Sequence, residues 1–175
     1  MISSQEEVII NVLVDHKPGV LHKVSNLFRR RAFNISNVAI GTSEKDQVAR
    51  MTLTMRGGEA DAIQLVKHLE NLVDVIKAEI VDAGKAVVRE LALVKLAPKP
   101  EDRLQILSFV DVYRARIVHL SDDSIIVEAS GDSDKVNAFI ELSRGFGLKE
   151  AARTGITALS RETRSNGSQE NGVGW

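Results

Sequence analysis

Residues 7–38 read "EVIINVLVDHKPGVLHKVSNLFRRRAFNISNV", and the order of signals in this stretch decides the fold. "EVIINVLVD" (7–15) is short, β-branched and apolar on both faces, the pattern of a buried strand. A Pro18-Gly19 turn follows, and then Val20, Leu21, Val24, Leu27 and Phe28 recur at helical spacing. "NISNVAIG" (34–41) begins a second strand. Strand, tight turn, helix and strand within so few residues is the opening half of a split βαβ unit.

Working outward, "QVARMTLTMR" (47–56) alternates Met51, Leu53 and Met55 with Arg50, Thr52, Thr54 and Arg56. One face is therefore expected to be covered and the other wet or partner-facing. Ala62, Leu65, Val66, Leu69 and Leu72 form a second helical stripe, with Glu59 and Asp61 at the positive end of its dipole. "VDVIKAEIV" (73–81) closes the set. After the break "DAGKA" (82–86) the order repeats. "VVRELALVKLA" (87–97) is a strand and "PKP" a helix entrance. Ile106, Leu107, Val110 and Tyr113 make a stripe, and 115–121 with 123–130 make a hairpin. A helix over 131–147 is capped by Asp132 or Ser133, and 148–161 forms the last strand. The expected class is α+β, with two tandem ferredoxin-like βαββαβ domains at 1–82 and 83–161. "ETRSNGSQENGVGW" (162–175) lacks apolar content and is expected to be a disordered tail.

Composition excludes several functions. The chain has 175 residues, a formal net charge of −1 and no cysteine, so disulfides, thiolate nucleophiles and Cys-ligated zinc are ruled out. A near-neutral charge gives no bulk field toward nucleic acid or membrane. No leader-like start and no apolar run of spanning length occurs, which gives the expectation of a soluble, cytoplasmic protein. His16, His22, His68 and His119 do not fall at metal-ligand spacings, and no metal site is expected. No acid, base and nucleophile set is evident, so no catalytic residue is assigned. Arg29, Arg30 and Arg31 suit the negative end of a helix dipole better than a nucleic acid, since the wet strand face carries no aromatic ring for base stacking.

The remaining candidate is the helix mouth at Pro18-Gly19. Proline has no N–H to lose there, glycine removes the Cβ that would hold a ligand away, and the orphan N–H groups with the dipole favour a carboxylate. Asn34 adds an amide able to meet either end of an amino acid. The same residues equally suit an ordinary strand-to-helix turn and a loop asparagine.

Here the sequence resembles the ACT domain family, whose signature is a strand, D-x-x-G-x-L, a helix and then N-I. "RELALVK" and "ARTGITALSR" extend the resemblance to the regulatory (small) subunit of acetohydroxyacid synthase, also called acetolactate synthase, over about residues 6–161. The resemblance implies a non-catalytic subunit that activates a thiamine-diphosphate-dependent catalytic (large) subunit. It also implies feedback inhibition by a branched-chain amino acid, usually valine, bound where two ACT domains meet in a homodimer. The implied effector-binding residues are Asp15, His16, Gly19, Val20, Leu21, Asn34 and Ile35. Cofactors (thiamine diphosphate, Mg and FAD) would belong to the catalytic partner, and none to this chain. Two departures stand out. Ala32 occupies a place where relatives carry glycine, at a cost of about 1 kcal/mol if φ is positive there. His16-Lys17 forms a basic pair at the turn. The alternatives are a free-standing ACT regulator of another enzyme or of transcription, and an acylphosphatase-like hydrolase.

Overall fold

The computed structural model describes residues 7–162, and the expected tail lies outside them from residue 163 onward. The first unit is β1 (Glu7–Asp15), α1 (Val20–Arg31), β2 (Asn34–Thr42), β3 (Val48–Arg56), α2 (Glu59–Glu70) and β4 (Val75–Val81). Its antiparallel sheet has the order β2-β3-β1-β4. Ile10, Val12 and Val14 of β1 and Met51, Leu53 and Met55 of β3 lie on one face, beneath Val24, Phe28, Leu65 and Leu69 of the helices. That layer is the first core. The stripe on α1 is narrower than its spacing suggests, because Leu21 turns outward and is 46% exposed.

The second unit repeats the order with β5 (Ala86–Leu96), α3 (Arg103–Val112), β6 (Arg116–Leu120), β7 (Ile125–Gly131) and α4 (Ser133–Ser143). Asp132 caps α4 by accepting from Lys135 N (2.8 Å). Phe109 stacks on Phe139 with centroids 4.6 Å apart, and Tyr113 meets the same ring edge-on. The second core is thus built around a cluster of stacked aromatic rings, whereas the first is mainly aliphatic with two methionines and Phe28 and Phe33.

Two expectations are corrected here. Residues 148–161 form not one strand but two, β8 (Leu148–Arg153) and β9 (Thr157–Ser160). Both run antiparallel to β5, β8 along its second half and β9 along Ala86–Arg89. The kink between them comes from Thr154-Gly155-Ile156, with Gly155 at φ +77°. The second correction concerns the wet face of β3. Thr52 and Thr54 are buried at 2% and 1% exposure, because the kinked segment lies over this face of the first sheet. Asn11 Nδ2 donates to Ala158 O (2.9 Å), Thr52 Oγ1 donates to Asn11 Oδ1 (2.9 Å), and Asn37 Nδ2 donates to Ile156 O (3.3 Å). The alternation was a true strand signal, but the cover on its polar face comes from the chain's own far end. That long-range pairing left no mark in the local pattern.

Candidate functional site

Gly19 is the N-cap of α1 and adopts φ +89°, a left-handed conformation that L side chains avoid. A Cβ built there meets nothing within 4 Å, so the glycine is required by backbone conformation and leaves open space in front of it. No side chain caps the helix, and no acid lies in its first turn. The first helical bond runs from Lys23 N to Gly19 O (3.0 Å), so the N–H groups before it lack an intrahelical partner. The mouth therefore combines orphan donors, the positive end of a dipole and room for a ligand.

The loop leading to it is held on two sides. His16 N donates to Gln47 O (2.7 Å), which ties the loop to the β2–β3 hairpin, and Asp15 N donates to Asp74 O (2.9 Å). Lys17 Nζ bridges Asp15 Oδ2 and Asp74 Oδ1, each at 2.8 Å, and Lys23 Nζ reaches Asp74 Oδ2. Hydrogen bonds to Asp15 and then Asp74 hold the Lys17 ammonium above the usual lysine range. Those from Lys17 and then Lys23 hold the Asp74 carboxyl below the usual carboxylate range. The sequence pattern runs 73–81 together as one strand and gives Asp74 no separate role. The strand starts at Val75, leaving Val73 exposed and Asp74 buried. A lone acid inside "NLVDVI" was the available signal.

The expected site residues separate into two groups. Asp15, His16, Gly19, Val20 and Leu21 gather at the mouth. The Val20 side chain is buried in the core, so only its backbone is open to a ligand, while Leu21 is accessible. Asn34 and Ile35 begin β2 at the opposite end of α1. Twelve helical residues put them about 18 Å away. Ile35 packs against the first core, and Asn34 lines a cavity of about 350 Å³ with Phe33, Arg56, Asp61 and His68. Ala32 closes α1 at φ 55°, so the position does take positive φ. Alanine holds it there, with the chain turning through Phe33 N to Phe28 O (3.1 Å).

A second constellation lies between the units. Glu90, buried, accepts from Arg153 Nε (2.6 Å) and Nη2 (2.7 Å), and from Ser133 Oγ (3.3 Å). Beside it, Leu91 N donates to Thr154 Oγ1 (3.1 Å) and Thr154 N donates to Leu91 O (3.0 Å). The stretches "RELALVK" and "ARTGITALSR" thus meet in space and pin the kinked segment. A Cβ on Gly155 would push the Asn37 amide aside and would sit on a left-handed backbone that favours glycine.

An open-edged βαββαβ sheet with a glycine helix mouth, joined to a second unit of the same order, defines the protein as an ACT-domain type of α+β chain. Residues 10–77 match the family model described as AHAS small subunit-like ACT domain, and residues 89–162 that of the small subunit of acetolactate synthase. A probable acetolactate synthase small subunit from Methanothermobacter thermautotrophicus is 48% identical over 90% of this chain and 94% of its own length. The acetolactate synthase small subunit of Bacillus subtilis is 39% identical over 91% and 94%. The crystal structure of the acetolactate synthase small subunit from Thermotoga maritima superposes with a TM-score of 0.85 at 38% identity, covering 90% of this chain and 98% of that one. The chain belongs to the acetolactate synthase small-subunit family.

Proposed function

We propose that this chain is a non-catalytic regulatory subunit that binds a branched-chain amino acid between two copies of its first unit and passes that state to a catalytic acetolactate synthase subunit. It activates that subunit when free and inhibits it when the effector, valine or a close homologue, is bound. Thiamine diphosphate, magnesium and FAD belong to the catalytic partner. The relatives named as small subunits support the partnership, and the reading places the assembly in the cytoplasm.

The observation that carries this reading is the separation of Gly19 from Asn34 within one chain, together with the open edge of β2. That edge strand carries Val38 and Ile40, both substantially exposed, and exposed apolar edges are normally paired or covered. An antiparallel approach of a second β2, centred near Val38, would set the partner's Asn34 opposite Thr42. Thr42 leads into the hairpin that is tied to the mouth through Gln47. Two copies would then build the site that one copy divides. The mouth amides take the effector carboxylate, Asn34 across the seam takes its polar end, and Leu21 offers apolar surface. Discrimination among valine, leucine and isoleucine is modest, since one methylene contributes about 1–3 kcal/mol. Binding across the seam changes how the copies pack, which gives coupling to the catalytic subunit a physical route.

Titration calorimetry tests the first step. Valine should release heat at half-molar to equimolar stoichiometry where alanine gives little, and equal signals from both would discard the reading. Gly19→Asp sets a carboxylate against that of the effector; it should abolish inhibition of the reconstituted enzyme while activation persists.

A further inference from the structure

We propose that Asp74 is a positioning residue for the helix mouth, acting on a bound amino acid through Lys17 and Lys23. This rests on the effector reading above and adds the group that shapes the site.

The geometry is convergent. The Asp74 side chain is 4% exposed, yet both its oxygens are taken by lysines whose own side chains are about half exposed. One lysine lies two residues before Gly19 and the other one turn after it, so a single buried carboxylate brackets the mouth. None of these bonds uses a first-turn N–H group. The clamp fixes the loop and leaves the donors free.

The second unit supplies an internal control. There Ala97 N donates to Gly147 O at 2.9 Å, the same bond that Asp15 N makes to Asp74 O at 2.9 Å. The residue in the place of Asp74 is Gly147, at φ +77°, and a Cβ there would lie 2.5 Å from Ala97 O. The backbone bond that closes the loop onto the strand therefore forms in the second unit without a side chain, on a left-handed backbone that Asp74 does not share. The Asp74 side chain takes no part in that closing bond; what it does is hold two cations beside an uncapped helix. The second unit lacks the carboxylate, and its helix mouth carries Glu101 and Asp102 in place of an open glycine.

The test uses Asp74→Asn in the full chain and in a Lys17→Met/Lys23→Met background, with valine titrations and hydrogen exchange of residues 15–22 in the ligand-free protein. Asp74→Asn should keep its circular dichroism spectrum, weaken valine binding at least tenfold and speed exchange across 15–22. In the double-lysine background it should change neither quantity more than twofold, since its targets are gone. Wild-type affinity and exchange in Asp74→Asn would overturn the proposal. So would an equal loss in both backgrounds, which marks a packing role. If the unsubstituted chain binds no branched-chain amino acid, the effector reading fails. The exchange comparison then still decides the clamp, and unchanged exchange overturns it.

Discussion

The two βαββαβ units are close copies in backbone and opposites at their helix mouths. One constant offset relates Pro18 to Pro100, Val24 to Ile106, Phe28 to Val110 and Ile35 to Ile117. It also relates Ala32, the cap of α1, to Arg114, just beyond the cap of α3, and both are non-glycine residues with positive φ. In both units the strand after the helix carries an irregularity just beyond the matched isoleucine. The same offset sets Gly19 against Glu101. Neither helix has a side-chain cap, but the first mouth is bare of acids, while a short 3-10 turn carrying Glu101 and Asp102 leads directly into α3 and sets carboxylates beside its dipole. A fold present twice can thus carry the proposed effector site once, because such a site resides in a few residues and not in the topology.

The comparison can be broken most forcefully at the cores. Phe139→Ala removes the ring on which Phe109 and Tyr113 rest, and should cost about 3–5 kcal/mol in urea unfolding. A loss under about 1 kcal/mol would mean that the aromatic stack is not what holds the second unit. A smaller, sharper contrast comes from the paired left-handed glycines. Gly19→Ala meets open space and should lose only the conformational cost, about 1–2 kcal/mol. Gly147→Ala bears the same cost and in addition strikes the Ala97 carbonyl. Its melting temperature should fall further, and equal shifts would remove the steric distinction between the loops. The smallest effect is electrostatic and belongs to the first unit alone. Because its partners hold Asp74 below the usual carboxylate range, its contribution is present above that range and fades as pH falls through it. Lys17, held high, contributes below the usual lysine range and loses that as pH rises through it. A carbon-detected titration of the Asp74 carboxyl should give a midpoint below ordinary aspartates, and an ordinary midpoint would show the clamp to be loose in solution.

Much of this molecule was legible in its sequence, and the parts that were not share a cause. Strands and helices emerged because Met51, Leu53 and Met55 or Leu65 and Leu69 obey local periods that follow from backbone geometry. Gly19 stood out because a Pro-Gly step before a helix is a local signal too. Hidden were the features that depend on distant partners. The burial of Thr52 and Thr54 requires the segment near Ala158, and the role of Asp74 requires Lys17 and Lys23 to arrive from another element. Arg153 needs Glu90 to arrive likewise. The split of Asn34 from the mouth is of the same kind: both residues sit close in the signature, but the intervening helix carries them apart.

The kinked terminal segment has a consequence for anyone who would graft or recombine these proteins. The Asn11 amide is satisfied by a carbonyl 147 positions further along the chain, and the Asn37 amide packs directly against residue 155. A chimera that exchanges the front half for that of a cousin must import the matching terminal ribbon as well, or its first sheet will be left without its roof.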